Sequence, residues 1–178
     1  SIPANVNLAR VHRRAGQLDQ AVRHYQRVLE IEPRQSATIR ELAQVLSATG
    51  QHGKAVAQYR RLAELHPNAG PVHYELGLML QAHGRLGGAI ESFRMAIRLA
   101  PSSAPPHNAL AWLLATHPDS PHHDPRQAIE SAKQAVRLAI GNPAIVDTLA
   151  VAHAAAGQYD LAITNAEKAL ELAIAAGN

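Results

Sequence analysis

Eleven histidines in a chain of 178 residues offer the first chemistry to test. Three stand close together: His117, His122 and His123 share the segment Thr116–Pro125 with Asp119 and Asp124. Imidazole and carboxylate groups could hold zinc or nickel. A structural metal site, however, needs fixed ligand spacing and partners that orient each ligand. Pro118, Pro121, Pro125 and the His-His pair suit a rigid exposed turn equally well, so no metal is assigned. Phosphate loops, G-x-S-x-G elbows and H-E-x-x-H helices are absent, and the carboxylates are scattered along the chain. The chain holds no cysteine, which removes thiolate catalysis, disulfides and zinc fingers. The expectation is a non-enzyme with no catalytic residue and no cofactor.

The elements that carry these side chains are set by a repeat. Gly16, Gly50 and Gly84 stand 34 residues apart, and each is followed five residues later by Ala21, Ala55 and Ala89. The alanine column continues as Ala128 and Ala162. Leu8, Leu42, Leu76 and Leu110 keep the same step of 34, and Leu149 follows after 39. Tyr25, Tyr59 and Phe93 form an aromatic column, replaced by Ala132 and Ala166. Pro33, Pro67 and Pro101 close three units, with Ile140 and Ile174 in that slot later. Five units fit, at about residues 2–35, 36–69, 70–103, 104–142 and 143–178, the fourth carrying five extra residues between Leu114 and Ala128. A fixed period of this length marks stacked supersecondary units, each unable to bury its apolar face alone.

Each column has a physical reason. Ala9, Ala43, Gly77, Ala111 and Ala150 are small enough for a second helix to cross closely, and the Ala21 column does the same from the other side. Glycine permits a left-handed turn where the first helix stops, and proline keeps the second from running on. Asp124-Pro125-Arg126-Gln127 reads as a capped helix start, and Asn142-Pro143 as another. His12 and His153 fall in the slot of Leu46, Leu80 and Leu114, which predicts partly buried, hydrogen-bonded structural histidines. His66, before Pro67, sits at a helix end where a cation favours the dipole. No segment alternates polar and apolar residues over a strand length, so about ten helices and no sheet are expected.

The pattern of small residue, large residue, glycine, alanine, aromatic and proline resembles the tetratricopeptide repeat family over essentially the whole chain, as a bacterial-type array of about five repeats. Units one to three match best; unit four lacks the central glycine, and units four and five lack the aromatic and closing proline. The resemblance implies an all-α fold, a right-handed superhelical α-solenoid of helix-turn-helix repeats, in a single domain over residues 1–178. It also implies that the first helix of each unit lines a concave groove.

Helical spacing places a stripe along those first helices beside the Leu8 column. It begins at Val6, Arg10 and Arg13, and continues as Arg40, Gln44 and Ser47, then Tyr74, Leu78 and Gln81, then Asn108, Trp112 and Ala115, then Asp147, Val151 and Ala154. One row reads Arg10, Gln44, Leu78, Trp112, Val151, changing from charged through polar to apolar. That order fits an extended protein or peptide partner with acidic residues toward one end and apolar residues toward the other. The alternative is that Leu78, Trp112 and Val151 pack between adjacent first helices; a lone tryptophan satisfies both readings. The carboxylate-holding pattern of chaperone-binding relatives would fall on Val6, Arg10, Glu41, Pro71 and Glu75, with one base against two acids. The asparagine ladder of sugar-transferring relatives would fall on Asn7, Glu41, Glu75, Ala109 and Thr148. Neither mode is supported.

Composition narrows the partners. Hydrophobic residues are 47% and aromatics 3%, so packing rests on alanine and leucine. Residues 1–66 carry ten Lys or Arg against five acids, and residues 67–178 seven against nine. A basic region can meet nucleic acid, but Arg23, Arg27, Arg60 and Arg61 fall on outward-facing second helices and no aromatic platform interleaves them, so none is expected. No apolar run approaches the ~20 residues that span a bilayer, and no membrane insertion of this segment is expected. Localisation is undetermined: the absence of cysteine fits cytoplasm and periplasm, and the cytoplasm is the favoured expectation.

The segment Leu161 to Ala176 has an apolar arc wider than one stripe. Family members often cover that face with a further amphipathic helix; without one, it is suited to self-association. The bland alternative is an alanine-rich face tolerated in water. The resulting expectation is an interaction scaffold or adaptor. The alternative is a substrate-recognition or oligomerisation arm of a larger enzyme, such as a glycosyltransferase or protease.

Overall fold

The computed structural model describes residues 1–177 and contains, among them, ten helices and no strand. In chain order they are α1 (Ile2–Arg14), α2 (Leu18–Ile31), α3 (Ser36–Ala48), α4 (His52–Leu65), α5 (Gly70–Ala82), α6 (Leu86–Leu99), α7 (Ala104–Thr116), α8 (Pro125–Leu138), α9 (Pro143–Ala155) and α10 (Tyr159–Ala175). They fall into two compact units, Ser1–His83 and Gly84–Asn178.

In the first unit α1 packs on α2, α2 on α3, α3 on α4 and α4 on α5. Ala9, Ala21, Ala43 and Ala55 are fully buried, which is what close helix crossing demands of those columns. Tyr25, Val28, Ile39, Val45 and Leu62 fill the space between. Gly16 and Gly50 both adopt φ 74°, in the left-handed region. There the chain leaves α1 and α3: Gln17 N–H donates to His12 O and Gln51 N–H to Leu46 O, closing the freed carbonyls.

In the second unit α6 packs on α7, α7 on α8, α8 on α9 and α9 on α10, while α9 also lies against α7. Phe93, Leu113, Leu114, Ala128 and Ala132 are buried. Ala135 meets Ala104 and Ile145, with Val136, Leu138 and Ala139 closing round them. Thus α9 sits in the trough that α7 and α8 form. The sequence-predicted caps are present: Asp124 accepts from Gln127 N–H at 3.0 Å and Asn142 from Ile145 N–H at 3.3 Å.

The inserted segment folds as a pinned loop between α7 and α8. His123 N–H donates to Ser120 O and Asp124 N–H to Leu114 O. His122 comes to rest over α6, where a Cβ on Gly87 would lie 3.0 Å from its Nε2.

Candidate protein-interaction face

The first-helix stripe of the first unit is a polar lattice. Glu41, on α3, sits one repeat on and three residues back from Arg10, on α1, and that stagger brings the two side chains together. Arg10 Nη2 lies 2.6 Å from Glu41 Oε1 and its Nε reaches both carboxylate oxygens at 3.1 Å. Arg13 repeats the stagger with Gln44, Nη1 to Oε1 at 3.3 Å. Arg40 pairs with Glu75, Nε to Oε2 at 2.7 Å.

The aromatic column is tied to the same lattice. The Tyr25 hydroxyl donates to Glu41 Oε2 at 2.5 Å. Burial, reinforced by the adjacent carboxylate, pushes that phenol up to about 12. Hydrogen bonding from Arg10 outweighs partial burial and holds the Glu41 carboxyl below its ordinary range. Tyr59 is raised by burial and then by Glu75; Tyr74, on α5, is raised by burial alone. Leu78 is exposed and Gln81 half-buried on α5.

The charge of Arg10 is therefore already met within the chain, as is that of Arg40. Arg13 bonds a neutral amide rather than a carboxylate, though it lies near enough to Glu41 to help hold that carboxyl down. In sequence, Glu41 and Glu75 stand out as acids in the slots of a carboxylate clamp and of an asparagine ladder. Their place one repeat from an arginine was the signal of pairing, but using it required the stagger of neighbouring first helices.

The second unit presents a different surface. Trp112 is 39% exposed although Ala111 and Leu113 beside it are buried. One turn earlier on α7, the half-buried Asn108 has an Oδ1 that is enclosed without a hydrogen-bond partner. Asp147 and Val151 stand on α9, which packs against α7. Both line an open apolar cleft of about 370 Å³ with Tyr159, Ile163 and Ala166 of α10. The structure thus groups Asn108 and Trp112 with Asp147 and Val151 in one unit, and Arg10, Arg13, Arg40, Gln44, Tyr74, Leu78 and Gln81 in the other. Tyr159 and Ile163 were not in the predicted stripe; they come from a second helix and reach the cleft only because it opens between α9 and α10.

The histidines have local roles. His153 is buried and its Nδ1 lies 2.7 Å from Gln158 Oε1; His12 makes the same contact with Gln17 at 2.6 Å. His117 Nδ1 lies 3.2 Å from Leu113 O. Among the described residues no three His, Cys, Asp or Glu side chains converge as metal ligands. Likewise no described helix is long and apolar enough to cross a membrane.

Two tetratricopeptide repeat models match, one over residues 2–67 and one over residues 40–104. No curated protein matches the chain. Among solved structures, MamA is similar at 21% identity with a TM-score of 0.80, over 97% of this chain and 91% of that one. MamA 41-end from Desulfovibrio magneticus RS-1 is similar at 18% identity with a TM-score of 0.81, over 98% and 96%. YrrB, a TPR protein with an unusual peptide-binding site, is similar at 16% identity with a TM-score of 0.70, over 94% and 84%. At these identities the likeness establishes the fold.

Proposed function

This chain belongs to the tetratricopeptide repeat family, and we propose that it is a protein-interaction module whose first-helix faces take a protein or an extended peptide. The observation that carries the reading is Trp112, a large aromatic ring left 39% in water between buried neighbours. A ring in that position is a ready anchor, since tryptophan supplies much of the binding energy at interfaces where it becomes desolvated. The partner's apolar residues go to Trp112 in the second unit. On the face of the first unit, taken by itself, an acidic partner residue would go to Arg13, because Arg10 and Arg40 are engaged by Glu41 and Glu75. That YrrB, of similar fold, has a peptide-binding site supports a peptide as the class of partner.

A random peptide library displayed against the chain tests this. Selected sequences should carry an apolar anchor residue or acidic residues, and those with the apolar anchor should quench or shift the fluorescence of Trp112, the only tryptophan. Trp112→Ala should weaken them by about 1–3 kcal/mol, as for an interface anchor. Arg13→Ala should relax the acidic preference, with an effect that fades as salt rises. Peptides that bind Trp112→Ala as tightly as the parent would overturn the assignment.

A further inference from the structure

We infer that His52, Met79 and His83, in the first unit, bind a soft monovalent metal ion, Cu(I). The site lies where α3 hands over to α4 and where α5 ends. Met79 and His83 are four residues apart, which sets their side chains on one face of the last turn of α5. Met79 Sδ lies 3.1 Å from His83 Nε2. Donor atoms that hold one ion at about 2.0–2.3 Å stand roughly 3–4 Å apart, so thioether and imidazole have the separation of two ligands of one metal. His52 supplies the third donor. It opens α4, just past the left-handed turn at Gly50, and α4 packs on α5. Its ring lies against that of His83, with centroids 3.7 Å apart and planes tilted by 30°. Among the described residues the His52 ring has no hydrogen-bond partner, and it is exposed, so it can turn a nitrogen toward the Met79–His83 pair. Ser47 Oγ, at the end of α3, stands 3.3 Å from the same Nε2 and adds a hydroxyl at the rim.

The donor types select the ion. A thioether is a soft ligand suited to Cu(I), whereas magnesium, calcium and manganese take oxygen. The set carries no carboxylate, and a neutral set suits a single positive charge. Met79 and His83 are half-buried with His52 exposed beside them, which leaves an entry path. Three comparisons within the chain set the cluster apart. His12 and His24 also stack, at 5.3 Å, but their Nδ1 atoms face the amide oxygens of Gln17 and Asn5, and neither methionine is on their helices. The other methionine, Met95, has its sulfur 3.5 Å from the Arg98 guanidinium, a cation that repels a metal ion. One repeat earlier, the slots of His52, Met79 and His83 hold Leu18, Val45 and Thr49. The donors therefore belong to this junction and not to the repeat.

NMR of methionine methyl groups in the 178-residue chain is the test, because Met79 and Met95 are the only two methionines. Cu(I) kept reduced by ascorbate, or silver(I) as its redox-inert substitute, should shift the Met79 signal and saturate at one equivalent. Met95 should stay in place. Met79→Leu, which keeps the bulk of the side chain, should lose that equivalent to a competing Cu(I) chelator. His52→Ala, at an exposed position, should fold as the parent does by circular dichroism. It should weaken binding by at least about tenfold, the loss that follows even when only the groups orienting a ligand are removed. His12→Ala should bind as the parent does. A Met79 signal unmoved by several equivalents of either ion overturns the inference. So does a shift of equal affinity in the parent and in His52→Ala, or in His83→Gln, which would mark a lone thioether taking up the ion without a site.

Discussion

The first-helix faces of the two units occupy the same columns of the same repeat and are put to different use. In the first unit the stripe is closed on itself: Arg10 with Glu41, Arg13 with Gln44, Arg40 with Glu75. In the second it is open: Trp112 stands in water and Val151 borders an apolar cleft. A repeat column fixes where a side chain points but not whether its chemistry is spent inside the chain. The polar stripe rigidifies neighbouring helices, and the apolar stripe retains surface that a partner can cover.

The largest effect should separate core from face within α7. Leu113→Ala, at a buried position, should cost about 2–5 kcal/mol in denaturant unfolding, the range for truncating a core leucine. Trp112→Ala, one residue away, should cost clearly less while removing the fluorescence response to ligand. If the two substitutions destabilise equally, Trp112 is a packing residue and the contrast between the units collapses.

The next effect concerns how tightly the polar stripe is closed. Tyr25→Phe removes the hydrogen bond to Glu41 and should cost about 1 kcal/mol. In the parent, the folded chain holds the Tyr25 proton up to about pH 12, against 10.0 for an ordinary phenol. Its contribution is therefore complete below pH 10 and lost as pH rises through the folded value. Tyrosinate absorbance should show phenols that ionise above the ordinary range, and Tyr25→Phe should remove one of them. If all tyrosines titrate together near pH 10, the Tyr25–Glu41 bond is not kept in solution.

The smallest effect is at the other end of the pH scale. Glu41 is held below its ordinary value of 4.5, chiefly by Arg10. The stabilisation is present above that value and lost as pH falls through the folded one. Glu41→Gln should therefore cost about 0.2–1 kcal/mol at neutral pH, as for a partly exposed, solvent-screened pair, and should flatten the acid limb of the stability curve. An acid limb unchanged by the substitution would show that the pair contributes nothing.

Much of the fold could be read from the sequence because the period is written in residues with narrow physical roles. Small residues at Ala9, Ala21, Ala43 and Ala55 are needed for helix crossing, and Asp124 and Asn142 are capping residues set directly before a proline that favours the first turn. The face was harder to read. Arg10 and Glu41 lie 31 residues apart, and only the stagger of neighbouring first helices makes them partners. Trp112 was undecided because exposure depends on what lies beside α7, which a one-dimensional pattern does not hold. His122 was read as part of a turn; its resting place over Gly87 depended on where the inserted loop would fold back.

That resting place gives Gly87 a use as a strain gauge. Alanine suits a helix better than glycine, so the substitution should be welcome in α6 unless something resists the new methyl group. The object in its way is one imidazole, 3.0 Å off, on the segment that the fourth repeat inserts. A loop that yields lets the helix gain; a stiff loop turns the same substitution into a loss. The sign of a single stability measurement therefore reports how firmly the insertion is held against its own repeat.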